Sequence, residues 1–164
     1  MISDPANDPP DFRRLRQEVE GYLELDLPDM AEEALDAVPG QFADNVLIME
    51  GKLALRMHLK QWSEAVECGL KGCAEAPGHS SFFIHSAYCL HELGRTEEAH
   101  LLLISGPGTL QREPLFHYNM GCYLCVLGRR DEAVGYLQQA FRLDSALRAF
   151  AAADKDLQKV RDLL

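Results

Sequence analysis

Residues 93–99 read LGRTEEA, and residues 127–133, which lie 34 residues further along the chain, have the nearly identical sequence LGRRDEA. In both stretches the Leu-Gly pair is typical of a helix C-terminus, because glycine takes the left-handed backbone conformation without a Cβ penalty. The acidic residues that follow suit the first turn of a new helix, where they complement its dipole. The two stretches therefore predict two helical hairpins of one kind.

The same spacing runs through most of the chain. Four alanines stand 34 residues apart, at Ala31, Ala65, Ala99 and Ala133. Three more columns keep this register: Val19, Leu53, Ala87 and Gly121; Asp26, Lys60, Gly94 and Gly128; and Leu35, Gly69, Leu103 and Leu137. Four columns in register over four copies indicate a tandem repeat of paired antiparallel helices. Small residues in the alanine and glycine columns would let two helices approach closely.

This pattern resembles the tetratricopeptide repeat, a helix–turn–helix unit of 34 residues. The fourth copy matches it at Met120-Gly121, Gly128 and Ala133, whereas in the first copy Asp26 replaces the turn glycine. The resemblance implies an all-α fold: a right-handed α-solenoid of about four repeats with C-terminal capping helices. The four repeats are expected at residues 12–45, 46–79, 80–113 and 114–147.

Breaks in the pattern predict where the regular repeats end. Prolines among Asp and Asn make residues 1–11 a disordered N-terminal arm. The second helices of the first and third repeats should be short, because they meet Pro39-Gly40 and Ser105-Gly106-Pro107-Gly108. Residues 148–164 are expected to form a capping helix or helices over the last repeat. In that stretch Leu157, Val160, Leu163 and Leu164 follow helical spacing and would share one face.

Charge and composition exclude several classes of partner. The net charge is −10, and residues 1–50 alone hold 13 acidic and 3 basic residues. A chain without a basic patch is a poor ligand for nucleic acid or an anionic membrane surface. No apolar run approaches the roughly 20 residues that cross a membrane. Five cysteines, an odd number, and an N-terminus unlike a signal peptide predict a reduced, cytoplasmic protein.

One pair of cysteines raises the question of chemistry. Cys122 and Cys125 lie three residues apart on a predicted helix, so both sulfurs would share a face and could reach one metal ion. Zinc sites usually show two such pairs, and a redox pair normally precedes a helix rather than lying inside it. The pair is therefore interpreted as structural or groove-lining, with a metal or redox site as the alternative. Since no catalytic motif is present, we expect no enzyme activity, no cofactor and no metal.

The resemblance also implies where a partner would bind. In this family the first helices line a concave groove that holds an extended peptide or a helix. Projected onto this sequence, the groove residues are Arg13, Arg16, Glu20, Glu50, Met57, His58, Ile84, His85, Tyr88, His91, Tyr118, Asn119 and Cys122. Only Asn119 matches the Lys, Arg and Asn clamp with which some members grip a C-terminal carboxylate, so no such clamp is predicted.

The sequence thus predicts a non-enzymatic protein-interaction module, an adaptor or a chaperone-like protein, whose partner is a protein or peptide. A homo-oligomeric structural repeat protein is the main alternative. A second open question is whether the groove is filled by the chain itself, through its N-terminal arm or its C-terminal segment.

Overall fold

The computed structural model describes residues 11–164. The predicted N-terminal arm lies outside these residues except for Asp11, whose carboxylate caps the first helix by accepting from the amide of Arg14 at 3.2 Å. Within the described range all regular structure is helical, so the predicted all-α class is confirmed. The α-helices are α1 (Phe12–Glu24), α2 (Pro28–Asp36), α3 (Val46–His58), α4 (Trp62–Glu75), α5 (Ser80–Glu92), α6 (Thr96–Ile104), α7 (Pro114–Val126), α8 (Arg130–Leu143) and α9 (Leu147–Ala153).

The predicted turn column appears as one backbone conformation in all four copies. Gly94 and Gly128 have φ angles of 77° and 83°, and Asp26 and Lys60 both have 56°. Residues other than glycine pay roughly 1–2 kcal/mol for this left-handed region. The first two copies therefore keep the register at a cost that the last two avoid with glycine.

Second helices alternate between two lengths. α2 and α6 have 9 residues each, whereas α4 and α8 have 14. The two short helices are those predicted from the proline and glycine that follow them. After each, Pro39 or Pro107 leads into a short 3-10 turn, at Gly40–Phe42 and at Gly108–Arg112. Because proline cannot continue a helix, the turn takes over the connection to the next hairpin.

The described residues form two compact units, and the division along the chain falls between Lys60 and Gln61. The first contains α1, α2 and α3, packed around a core of Val19, Ala31, Leu35, Ile48 and Leu55. The second contains α4 to α9. The division falls inside the second predicted repeat, and the repeat boundaries themselves remain predictions.

Close helix contacts in the second unit follow from its small residues. Ala99 and Ala133 are fully buried. A Cβ atom built on Gly72 would stand 2.3 Å from the ring of Phe82, and one on Gly121 would stand 2.5 Å from Cγ of Leu137. The backbones of α4 and α7 therefore approach α5 and α8 more closely than any larger side chain would allow.

Of the range 148–164, where a capping helix or helices were expected, α9 covers the first part, and only residues 154–164, which we call the C-terminal segment, form no α-helix. α9 ends at Ala153, and the chain continues in turns with one short 3-10 turn at Arg161–Leu163. The carboxylate of Asp154 accepts the amide of Asp156 at 3.0 Å, a local bond that competes with helix continuation. Leu157 and Val160 are fully buried, but Leu163 is 53% exposed, so the four apolar residues do not share one buried face.

No helix among the described residues is both long enough and apolar enough to span a membrane.

Candidate functional site

The C-terminal segment lies on first helices of the second unit. We call the surface formed by Tyr88 and His91 of α5 and by Tyr118 and Cys122 of α7 the α5–α7 face. The hydroxyl of Tyr118 donates to Oδ2 of Asp154 at 2.7 Å, and Sγ of Cys122 lies 3.6 Å from the same oxygen. Nε2 of His91 lies 2.8 Å from Oδ2 of Asp156. Three predicted groove residues thus hold two carboxylates that stand two positions apart in the chain.

The two groups that face Asp154 are neutral proton donors. Burial, followed by the hydrogen bond to Asp154, raises the pKa of Tyr118. Burial, followed by the negative charge of Asp154, raises the pKa of the Cys122 thiol. Both side chains therefore keep their protons at neutral pH and can donate them to a carboxylate oxygen. Hydrogen bonds to an ionised acceptor are shorter and about twice as strong as neutral ones.

The ring of His91 is held in place from two sides. Its Nδ1 lies 2.9 Å from Oγ1 of Thr96, and its ring centroid lies 5.0 Å from that of Tyr123. In the tautomer with the proton on Nε2, Nδ1 accepts from the Thr96 hydroxyl and Nε2–H donates to Asp156. Thr96 and Tyr123 were not predicted as site residues. Thr96 begins α6, and a sequence pattern identifies such a residue only as a helix start.

The segment also has two buried apolar side chains and one backbone contact with α8. Leu157 and Val160, three residues apart, have no exposed surface. The guanidinium of Arg130 donates to the backbone carbonyl of Lys159. Burying an aliphatic side chain contributes about 1.5–3 kcal/mol before the entropy of ordering the chain is subtracted. The segment is therefore held by two carboxylates and buries two aliphatic side chains.

The other predicted residues of this unit have varied surroundings. Ile84 is buried, His85 lies 3.2 Å from the hydroxyl of Ser81, and Asn119 is half-buried. Tyr88 is the most exposed of the predicted aromatic residues, at 36%, and its ring meets Trp62 edge-on with centroids 5.9 Å apart. Burial and then the carboxylate of Glu92 raise the pKa of Tyr88, with a smaller contribution from Asp154.

Six predicted groove residues belong to the first unit. Arg16 pairs with Glu20 at 2.9 Å and with Glu50 at 3.5 Å, so its charge is shared between two carboxylates. Nε2 of His58 lies 2.9 Å from a carboxylate oxygen of Asp26. The two remaining residues differ in exposure: Met57 is half-buried and Arg13 is exposed.

The cysteine surroundings bear on the metal or redox alternative. Cys122 and Cys125 are both buried. Burial raises the pKa of both thiols. It also raises the pKa of the Cys89 thiol, to about 11. Metal ligation and thiol redox chemistry use the thiolate, which these surroundings disfavour. The burial supports the interpretation of this pair as structural. Among residues 11–164 no group of three or more His, Cys, Asp or Glu side chains is arranged to hold a metal ion.

Comparison with known proteins identifies solved structures that have a similar fold. No protein-family model matches the chain, and no curated protein sequence does. Among solved structures, MamA is 16% identical over 85% of this chain and 81% of its own, with a TM-score of 0.67. YrrB, described as a TPR protein with an unusual peptide-binding site, is 14% identical over 92% of this chain and 81% of its own, with a TM-score of 0.63. At such identities the likeness concerns the fold.

Proposed function

We propose that this chain, which has the tetratricopeptide-repeat fold, is a non-enzymatic protein-interaction module that acts as an adaptor or chaperone-like protein in the cytoplasm. It binds a peptide or helix of a protein partner on its first helices. The supporting observation is that the α5–α7 face already holds a chain segment through Asp154 and Asp156, and that this segment buries two aliphatic side chains. A surface that donates hydrogen bonds to a bound segment, while the segment buries apolar side chains, has what peptide recognition requires.

The chemistry of the face supports binding rather than catalysis. A nucleophile or general base at neutral pH needs a pKa close to that pH. Burial shifts Tyr118 and Cys122 in the opposite direction, so both remain protonated donors. Donors of this kind orient a bound carboxylate and do not activate a substrate.

The fold comparison supports the same conclusion at a coarser level. YrrB shares this fold and is described as having a peptide-binding site. At 14% identity this likeness concerns the fold and identifies no site residues. In the first unit, considered by itself, we propose that the predicted residues on α1 and α3 contact a partner: Arg13, Arg16, Glu20, Glu50, Met57 and His58.

A capture experiment tests the face directly. Wild-type chain, the double variant Tyr88→Ala/Tyr118→Ala and the control Gln138→Ala are immobilised and exposed to extract from the source cells. Gln138 is exposed and lies on a second helix, so its substitution should change nothing. We expect the double variant to lose the partner while keeping its helical circular dichroism. If the folded double variant retains every partner, the α5–α7 face is not the binding site.

A further inference from the structure

We propose that the α5–α7 face selects an acidic and apolar peptide of the form Asp-x-Asp-Leu-x-x-Val, and that the chain's own C-terminal segment is a tethered competitor for that peptide. The inference rests on the proposed function for the location of the binding surface. It adds the chemical class of the partner and a device that limits its access. Residues 154–160, which read DKDLQKV, are the observed occupant.

The acidic positions of the motif follow from the donors that meet them. Asp154 accepts from the Tyr118 hydroxyl and faces the Cys122 thiol through one oxygen. Asp156 is hydrogen-bonded to Nε2 of His91, and Nδ1 of the same ring is hydrogen-bonded to the hydroxyl of Thr96. An ammonium group in the place of either carboxylate could only donate, so it could not accept a hydrogen bond from Tyr118 or His91. An amide oxygen could accept one but would be a weaker acceptor than a carboxylate. The face therefore discriminates carboxylates from amides at two positions.

The apolar positions follow from burial. Leu157 comes directly after the second carboxylate, and Val160 follows three residues later; neither retains exposed surface. Between and beside them, Lys155, Gln158 and Lys159 are exposed. A partner needs aliphatic side chains at the two buried positions, whereas the intervening residues are free to vary.

Three features make the segment displaceable. It follows the last α-helix and has no α-helical bonds of its own beyond Ala153. Many of its side chains are exposed, including Arg161 and Leu163. An open cleft of about 590 Å³, lined by Thr96, Val126 and residues 154–156, lets solvent reach the two carboxylates. Segments with few buried contacts and exposed hydrogen bonds open locally at low free energy.

Because the segment is tethered beside its site, it competes effectively with a free peptide even when it opens locally. A segment joined to its site by a short linker acts at an effective concentration of about millimolar. The apparent dissociation constant of a free peptide rises by the inverse of the fraction of chains whose face is open. Loosening the segment without altering the face should therefore tighten peptide binding.

The test uses the full chain and a fluorescein-labelled peptide with the sequence of residues 153–164. Fluorescence polarisation compares wild type with Asp154→Asn/Asp156→Asn, which removes two charges from the tethered segment and leaves the face unchanged. We expect the labelled peptide to bind the double variant about tenfold tighter or more. A peptide with Asn at both acidic positions should bind neither chain measurably.

Two further chains serve as controls. Lys155→Gln changes the charge of the segment at an exposed position, so peptide affinity should equal that of wild type. Tyr118→Phe, added to the double variant, removes the hydroxyl donor to the first carboxylate and should weaken peptide binding about tenfold. If the double variant does not fold, Asp156→Asn alone replaces it. A separate measurement follows amide hydrogen exchange of residues 154–164 in the wild-type chain. Excess unlabelled peptide should displace the segment, so these amides should exchange faster with the peptide than without it.

Several outcomes would overturn the proposal. Equal peptide affinity for wild type and variant would mean that the segment does not compete. Equal affinity for the acidic and Asn peptides would mean that the face does not select carboxylates. A lower melting temperature without any peptide binding would make the segment a permanent cap.

Competition by a second copy is also distinguishable. Wild-type dimers in light scattering that disappear in the Asp154→Asn/Asp156→Asn variant would assign the face to the segment of another chain. If the peptide tests fail while Tyr88→Ala/Tyr118→Ala still abolishes partner capture, the proposed function stands and this inference falls.

Discussion

The close contact between α7 and α8 predicts opposite effects for two Gly→Ala substitutions in one helical hairpin. A Cβ atom on Gly121 would stand 2.5 Å from Cγ and 2.8 Å from Cδ2 of Leu137. Leu137 is fully buried, so its side chain cannot swing into solvent to make room. A Cβ atom on Gly135 of α8 would meet nothing within 4 Å.

The expected magnitudes follow from two competing terms. Alanine is favoured over glycine in a helix interior by about 1 kcal/mol, and this gain applies at both positions. At Gly121 the added methyl group overpacks the interface, which typically costs about 1–3 kcal/mol. Gly121→Ala should therefore range from neutral to about 2 kcal/mol destabilising, whereas Gly135→Ala should stabilise by about 1 kcal/mol.

Urea unfolding followed by circular dichroism measures both variants on one transition, because both positions lie in the second unit. The difference between their unfolding free energies, in which helix propensity cancels, is expected at about 1–3 kcal/mol. Adding Leu137→Ala to Gly121→Ala should reveal a favourable coupling of about 1 kcal/mol or more, since the second change removes the clash. If Gly121→Ala stabilises as much as Gly135→Ala, α7 and α8 do not approach as described.

Three further predictions concern other parts of the chain. Lys60→Gly should stabilise by about 0.5–1 kcal/mol, because relief of the left-handed strain exceeds the extra entropy that glycine loses; a lower melting temperature would contradict this. Ala133→Leu should lower the free energy of unfolding in urea by about 1–3 kcal/mol, because Ala133 is fully buried. Ala74→Leu, at an exposed position, should change it by no more than about 0.5 kcal/mol. Equal effects would argue against the predicted register. With a pKa of about 11, the Cys89 thiol should be alkylated about tenfold faster for each pH unit between about pH 8 and 10. The more exposed Cys68 should be alkylated first. Rapid alkylation of Cys89 at about pH 8 would contradict this prediction, because it would show an accessible thiolate.

Local signals in the sequence predict the helical hairpins well. Proline, glycine and the first-turn acids act within a few residues of one another, so the short α2 and α6 and the left-handed Gly94 and Gly128 follow from neighbouring residues. Even Lys60, a residue type that rarely adopts the left-handed conformation, has the expected φ angle. The register itself supplies the information that the residue lacks.

The C-terminal segment shows where such reasoning fails. The spacing of Leu157 and Val160 fits a helix as well as it fits an irregular segment with two buried anchors. The choice between them depends on Asp154 and Asp156, whose partners lie on α5 and α7, far away in sequence. Predicting that Tyr118 and His91 belong to the groove was possible from the repeat register. Predicting that the chain's own carboxylates meet them required the long-range contacts.

The alternation of short and long second helices has a consequence for how the number of hairpins can be changed. Pro39-Gly40 and Pro107-Gly108 lie two repeat lengths apart, and each follows a 9-residue helix, whereas the second helices of the second and fourth hairpins have 14 residues. In helix length the chain therefore repeats every two hairpins, although LGRTEEA and LGRRDEA show that its sequence repeats every hairpin. Removing two successive hairpins would keep the alternation. Removing either of the two middle hairpins alone would make two second helices of equal length neighbours along the chain.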